Sequence, residues 1–477
     1  MSVFSPKVLL IALLFSAIQL SAQQTRQNSP YSRFGLGDLL PAELPAQQGM
    51  GGVSTIYSNS YMMNVANPAS LGWLNFTDFE AGAYFRTASL SETETGKTSR
   101  SNDGNFANLL LGFPILNKPS SDSLNPRKRL RWGMAMGLQP HSSVGYDIQV
   151  PDSVAGAGRI VNTYLGRGTH YQFLWSNGFR YKNFSVGLGL GYLFGRTNRT
   201  SRIVFQENAT EIFTSNFREN ENMRAITYNL GLLGEIPLEK AAVRGDSAKM
   251  AQKPFHWLVL GATGSAGSTL RYRAFTQYDR SNAQLGVDTV LAANDTTYSR
   301  SLPATLSIGI GLRSLGSRAR AARRAGYDNN YPPYYLIGVQ FDYARWNTFG
   351  PGMSDAYRVA LGGEWSPSFR NPQRYLRSIV YRLGAFYATD PRTFGEAAGG
   401  STVQLRRYGA SFGLGMPIIP KQKDEDGRIL TGMPSFLNLS LEVGRFGHPD
   451  LIDEFYFRLG VGLTLNDAGW FRRAKFR

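Results

Sequence analysis

The sequence predicts an all-β fold: a transmembrane antiparallel β-barrel of about fourteen strands, with an N-terminal plug, or hatch, of short helices and loops. Three observations predict it. Residues 184 to 194 place Val186, Leu188, Leu190, Tyr192 and Phe194 on one face of a strand and Ser185, Gly187, Gly189 and Gly191 on the other, an apolar outside with a small or polar inside. That rhythm recurs about a dozen times along the chain. A secretory-type leader precedes it, and no later stretch approaches the length of apolar sequence that a membrane helix needs.

The bulk numbers agree with this class. The chain has 477 residues, 42% hydrophobic and 13% aromatic, long for one soluble domain and ordinary for one barrel. A mean hydropathy of -0.25 argues against a bundle of membrane helices, whereas a spanning strand needs only its alternate residues apolar. With no Cys there is no lipoprotein acylation site, no disulfide framework and no thiolate metal site. The formal charge is +17, with basic runs at Arg127-Lys128-Arg129-Leu130-Arg131 and Arg318 to Arg324. An exported chain meets membrane lipid and lipopolysaccharide before any nucleic acid, so these runs are expected to be solvated turns that touch phosphate head groups.

The elements follow in order. Residues 1–22 are expected to be a signal peptide: Lys7 supplies charge, Val8 to Leu20 the apolar core, and Leu20-Ser21-Ala22 the cut site. Residues 23–75 lack sustained alternation and are rich in Gly, Pro, Asn and Ser, which predicts the hatch. The barrel is expected over 76–477. Its strands are predicted near 76 to 90, 105 to 115, 130 to 141, 169 to 181, 184 to 196, 223 to 237 and 255 to 268. The other seven are predicted near 300 to 313, 333 to 348, 356 to 366, 377 to 388, 404 to 416, 435 to 445 and 454 to 465.

The faces sort cleanly in several of them. Leu130, Trp132, Met134, Met136 and Leu138 alternate with Arg131, Gly133, Ala135, Gly137 and Gln139. Phe455, Phe457, Leu459, Val461 and Leu463 oppose Tyr456, Arg458, Gly460, Gly462 and Thr464. A lipid-facing Arg at mid-depth costs roughly 2 to 4 kcal/mol, so Arg458, and likewise Glu442, should face the lumen. The connections 142 to 168, 197 to 222 and 269 to 299 are predicted to be long extracellular loops. Those at 238 to 254, 314 to 332 and 417 to 434 are long for periplasmic turns, which predicts small periplasmic elements there or a strand count off by two. Trp73, Phe76, Trp346, Trp365 and Trp470 fall near strand ends, where interfacial girdles sit.

Gln48-Gly49-Met50-Gly51-Gly52-Val53, followed by Asn64-Val65-Ala66-Asn67-Pro68-Ala69-Ser70-Leu71-Gly72, resembles the start of the FadL-type outer-membrane transporter family, a Gly-Gly element and then an Asn-Pro-Ala turn before the first strand. Leu302-Pro303-Ala304-Thr305-Leu306-Ser307-Ile308-Gly309 and Arg358 to Pro367 extend the resemblance over most of the mature chain. It implies a fourteen-stranded, hatch-plugged barrel of the bacterial outer membrane that imports hydrophobic small molecules such as long-chain fatty acids, released sideways through a wall gap beside a strand kink. The chain departs from the family at Asn59-Ser60-Tyr61-Met62-Met63, where acidic residues are common. A FadL-like branch also includes a secretion-system subunit, so the alternative is a non-transporting barrel that serves a secretion or outer-membrane assembly complex.

The candidate residues follow from this frame. Gly51 and Gly52 would allow close backbone packing of the hatch, and Asn67, Pro68 and Ala69 would fix its exit. Met50, Met62 and Met63 are adaptable apolar side chains suited to a lipid tail or to plain packing. Arg358 or Arg382 could hold a ligand carboxylate, although lumenal Glu80, Arg86, Asp342, Arg358, Glu364, Arg382, Glu442 and Arg458 should chiefly form a paired network tying wall to hatch. No enzyme is expected: a hydrolase needs a Ser within reach of a His base, and His141 beside Ser142 and Ser143 reads as a loop rim. No metal or cofactor is expected, since no two of His141, His170, His256 and His448 have ligand spacing and Lys423 to Gly427 lacks a calcium loop's terminal acid.

Overall fold

The computed structural model describes residues 29 to 467, apart from 94–95, 117–129, 155–157, 206–213, 239–254, 283–285, 317–332, 368–374, 396–401, 419–420, 424–428 and 432–433. The expected signal peptide, residues 127–129 and 318–324 of the basic runs, residues 424–427 of the acidic turn and Trp470 lie outside the described residues.

Fourteen antiparallel strands close into one barrel. They are β1 (Thr77–Glu92), β2 (Thr98–Pro114), β3 (Leu130–Val154), β4 (Gly158–Tyr181), β5 (Phe184–Phe205) and β6 (Thr214–Pro237). Next come β7, in two parts (Phe255–Ser265 and Thr269–Asn282), and β8, also in two (Gly286–Ser301 and Thr305–Leu315). The ring continues through β9 (Tyr334–Ala344), β10 (Ala356–Ser366), β11 (Val380–Gly395), β12 (Thr402–Ile418), β13 (Ser435–Gly447) and β14 (Ile452–Asp467). Each pairs with the next, and β14 returns to β1 from Ile452↔Glu92 to Asp467↔Thr77, which closes the ring. The end where β1 starts and β14 finishes is called the terminal end below; the other is the distal end.

The sequence alternation is the wall. Val186, Leu188, Leu190, Tyr192 and Phe194 are exposed on the outside while Leu193 is buried within, and β9 and β14 repeat the pattern at Ile337, Val339 and Phe341 and at Phe455, Phe457 and Leu459. Apart from one break between β6 and β7, an apolar exterior around a closed ladder satisfies the backbone within hydrocarbon, which is the condition for spanning a bilayer with strands.

The distal half differs from expectation. The stretches expected as long loops continue the ladder: residues 142 to 154 pair with 158 to 170, 197 to 203 with 215 to 221, and 269 to 282 with 286 to 301. Above the apolar band the outer face meets water, so the contrast between faces disappears although the hydrogen bonds go on. β3 to β6 consequently reach 25, 24, 22 and 24 residues, against 11 in β9 and β10. One side of the barrel stands tall and the other short. At the terminal end the 417 to 434 connection carries a small hairpin, Lys421–Lys423 with Ile429–Thr431; the bulk of the other two long ones is outside the described residues.

Residues 29 to 76 fill the lumen. They form a 3-10 turn at Pro30–Arg33, a two-residue strand Asp38–Leu39 against Ser142 and Ser143, one α-turn at Pro45–Gln48 and a 3-10 helix at Pro68–Trp73. Tyr31 sits at the distal end, where its hydroxyl donates to the Ile452 carbonyl at 2.8 Å. Asn75 sits at the terminal end beside Arg131 (3.3 Å). The hatch therefore crosses the whole lumen before β1 begins. Trp73 and Trp346, expected in girdles, are buried instead, Trp73 under the Arg180 guanidinium and Trp346 in an inner cluster with Leu36 and Leu270; Trp365 is exposed on the wall.

Candidate functional site

The hatch is seated on bare backbone. At Gly362 a Cβ would strike the Met50 carbonyl, at Gly384 the Gly51 amide, and at Gly187 the Pro68–Ala69 peptide. Gly51 and Gly52 have φ of 65° and 77°, left-handed values open to glycine without strain. The Gly51 amide donates to Ser411 Oγ at 2.7 Å, and its carbonyl accepts from Arg358. Asn67 caps the second 3-10 helix, its side chain accepting from the Ala69 amide (3.1 Å) and donating to the carbonyls of Thr55 (2.7 Å) and Leu232 (3.2 Å). Pro68 takes the first helical position, where a missing N–H costs nothing, and Ala69 is fully buried against the wall.

Charges tie hatch to wall. Arg382 pairs with Glu364 (2.6 Å) and donates to Asn438 (2.9 Å), while Tyr334 and Tyr57 also donate to Glu364. Arg313 pairs with Glu235 and reaches the Ser58 carbonyl at 3.0 Å. Arg358 bridges Asp342 (3.1 Å) and Glu43 (3.6 Å). At the distal end Arg392 holds Asp390, Asp38 and the Tyr31 carbonyl, and Glu454 accepts from both Arg86 and Ser29. Arg407 and Tyr456 share Glu442, and the Arg458 guanidinium lies over the Tyr84 ring at 4.6 Å.

The three apolar candidates are all packed away. Met50, Met62 and Met63 are buried, Met62 with its sulfur 3.5 Å from the Arg382 guanidinium. The structure does not gather these methionines with Arg358 and Arg382 around one open space.

The open space lies elsewhere. A cavity of about 430 Å³ is enclosed by hatch residues Leu40, Ala42, Ser54 and Val65 and by wall residues of β3 to β9, among them Gln172, Thr227, Asn229 and Gln340. Its far side includes Leu190 and Tyr228, which belong to the outward parity of β5 and β6, together with Ala266, Ser268 and Pro303 at the breaks in β7 and β8. The register explains the reach. β6 pairs with β7 at Leu230↔Gly264 and beyond in one direction, and at Arg224↔Arg271 and beyond in the other. From Ala225 to Asn229, β6 has no ladder partner on β7. Pro303 lacks an N–H and cannot repair the neighbouring break in β8. The cavity thus meets a gap in the wall, next to Ile226, which is 71% exposed on the outside.

Sequence reasoning missed Gln172, Thr227, Asn229 and Gln340. Their signal was there: amides and a hydroxyl on the small-residue face. Asn229 donates to the Ala66 carbonyl (3.1 Å), Gln172 to Thr227 (2.7 Å), and Gln340 accepts from the amides of Ser54 and Thr55. It also missed a Ser–His contact. Ser142 Oγ lies 2.7 Å from His170 Nδ1, and His170 Nε2 2.8 Å from Thr197 Oγ1. All three are buried, and Leu39 of the hatch pairs over Ser142.

The model of the BamG family matches residues 5–477. No curated protein matches the sequence. Among solved structures the chain is similar to the toluene transporter TbuX of Ralstonia pickettii, with 12% identity and a TM-score of 0.50 over 90% of this chain and 99% of that one. A FadL homologue of Pseudomonas aeruginosa has 12% identity and a TM-score of 0.48 over the same shares. At such identities the likeness is one of fold: the closed fourteen-stranded barrel.

Proposed function

The chain belongs to the BamG family, and starting from that membership and the barrel's geometry we propose that it is an outer-membrane channel that passes hydrophobic small molecules from a lumenal cavity sideways into the bilayer. The terminal end then faces the periplasm and the tall distal rim the outside, as outer-membrane barrels are oriented. The observation that carries the reading is the meeting of the cavity with the β6–β7 gap. Unpaired backbone at membrane depth is tolerated where it lines a cavity, so a five-residue break beside a mixed polar and apolar pocket supports an opening rather than a flaw. An apolar solute gains by leaving through such an opening into hydrocarbon and loses by crossing a wet pore. The solved neighbour TbuX is named a toluene transporter, a name consistent with this solute class.

The test is uptake by purified protein in liposomes, with labelled toluene and a labelled long-chain fatty acid as probes. Thr227→Trp and Asn229→Trp fill the cavity mouth. Uptake of at least one probe by the wild type, and its loss in both variants while the barrel stays folded, is expected. No uptake of either probe by the wild type overturns the reading.

A second reading has its own observation: hatch residues Tyr57 and Ser58 are hydrogen-bonded to the buried wall pairs Arg382–Glu364 and Arg313–Glu235, which hold the hatch across the lumen. A barrel so plugged suits a subunit of an outer-membrane complex. Stoichiometric recovery of a partner protein after extraction in mild detergent, with no uptake activity, would favour it.

A further inference from the structure

The outer wall beside the gap carries a cluster of arginines that the channel reading does not use. Arg196 on β5, Arg224 on β6, and Arg271 and Arg273 on β7 are all exposed. Their parity is outward: the neighbours Leu193, Met223 and Tyr272 are buried within. The register sets them in two adjoining rows. Arg224 stands directly opposite Arg271, and Arg196 and Arg273 both stand opposite Asn222. Three neighbouring strands span about 10 Å, so these guanidinium groups share one small patch.

Like charges directly opposite on a sheet repel and destabilise it. On the inner face at the same height the problem is solved, because Arg199 is paired with Glu221. Among the described residues Arg196, Arg224 and Arg271 have no ion pair or hydrogen bond. The outward positions around them, Thr169 on β4, Asn198 on β5, Asn220 and Asn222 on β6 and Ser299 on β8, include no acid. Among the described residues no acid offsets Arg196, Arg224 and Arg271, and an anion from outside could do so. Toward the terminal end the same strands turn apolar at once, through Phe194, Tyr192, Leu190 and Ile226. The patch therefore sits where the hydrocarbon band ends, at the depth of lipid head groups, and guanidinium matches phosphate in a bidentate fork.

We propose that a phosphorylated glycolipid of the outer leaflet docks here, its phosphates on Arg196, Arg224 and Arg271 and its acyl chains along Phe194, Tyr192 and Ile226, across the mouth of the gap. The proposal takes from the channel reading only the orientation of the barrel. It needs no transport.

The probe is diphosphorylated lipid A. Full-length protein is purified in mild detergent, stripped of native lipid, and titrated with lipid A, with the same lipid after enzymatic removal of its phosphates, and with phosphatidylglycerol. The wild type should prefer lipid A over both. Arg196→Gln/Arg224→Gln/Arg271→Gln should weaken lipid A binding by about tenfold or more, since each cation near a membrane surface contributes a several-fold factor. The triple Lys variant should fall between the two. Folding is checked independently by the heat-dependent gel shift of the barrel. Equal binding of the dephosphorylated lipid, or unchanged lipid A binding by the folded Gln variant, overturns the proposal, as does finding that the Gln variant loses an acidic protein instead of lipid. Uptake in liposomes, measured in parallel on the wild type, separates the two readings: no preference for lipid A with uptake present sinks this site alone, and a preference for lipid A with no uptake sinks the channel alone.

Discussion

Gly384 is occupied space in all but name, because the Met50–Gly51 peptide lies where its side chain would be. Gly384→Val should push the hatch off β11 and cost about 1 to 3 kcal/mol. The check is limited proteolysis: cleavage near residues 45 to 60 should accelerate while the barrel keeps its heat-dependent gel shift. Arg382→Met strands Glu364 in the lumen, and removing one partner of a buried pair costs about 3 to 5 kcal/mol. Arg382→Met/Glu364→Leu should recover most of that loss in urea unfolding of the micelle-bound protein. Arg358 and Arg382 stood out in sequence because each breaks an alternating strand on its inner face. Glu235 and Arg313 gave the same signal, in Leu-Leu-Gly-Glu-Ile and Gly-Leu-Arg-Ser, yet which acid meets which base depends on strand neighbours that alternation does not name.

Strands announced themselves wherever their two faces met different solvents. β5 was legible from Phe184 to Arg196 and illegible from Thr197 to Phe205, where Asn198, Thr200 and Arg202 lie on the outward face and water replaces hydrocarbon. The gap was illegible for another reason: Ala225 to Asn229 continue the β6 pattern and stay paired with β5, and only the register of β7 reveals that their other edge has no partner. Those amides of 225 to 229 that point toward β7 rather than β5 should exchange with deuterium at least about tenfold faster than those of 231 to 236, which have partners on both sides or at their turn. Equal protection would mean the gap is closed in solution. At the distal rim, Tyr343 and the Asn347 amide donate to Asp355, which holds its carboxyl below the usual aspartate range. A depressed carboxylate contributes order above its unfolded pKa and loses it as pH falls through the folded value. Protection of amides 346 to 355, measured relative to their intrinsic exchange rates, should therefore be constant at neutral pH and fall only in acid below that range, and Asp355→Asn should remove the dependence.

Eight strands leave room for side chains alone, whereas sixteen enclose a water channel, so a fourteen-stranded ring needs filling. Residues 29 to 76 supply it, and deleting them should convert a barrel of low conductance in planar bilayers into one with large, steady openings. An unchanged conductance would mean that wall side chains, not the hatch, set the seal. The overall class was legible because a barrel repeats one simple rule along its whole length; the hatch was legible only as a region without that rule.

Ser29, Glu454 and Arg86 meet in one contact that joins the leading segment to the two strands at the seam. The closing seam is thus stitched to a segment made before any strand of the wall, so in the finished ring the last strand, the first strand and the leading segment share one contact. A mutation as small as Ser29→Ala therefore removes a contact at the one junction where the barrel's end meets its beginning.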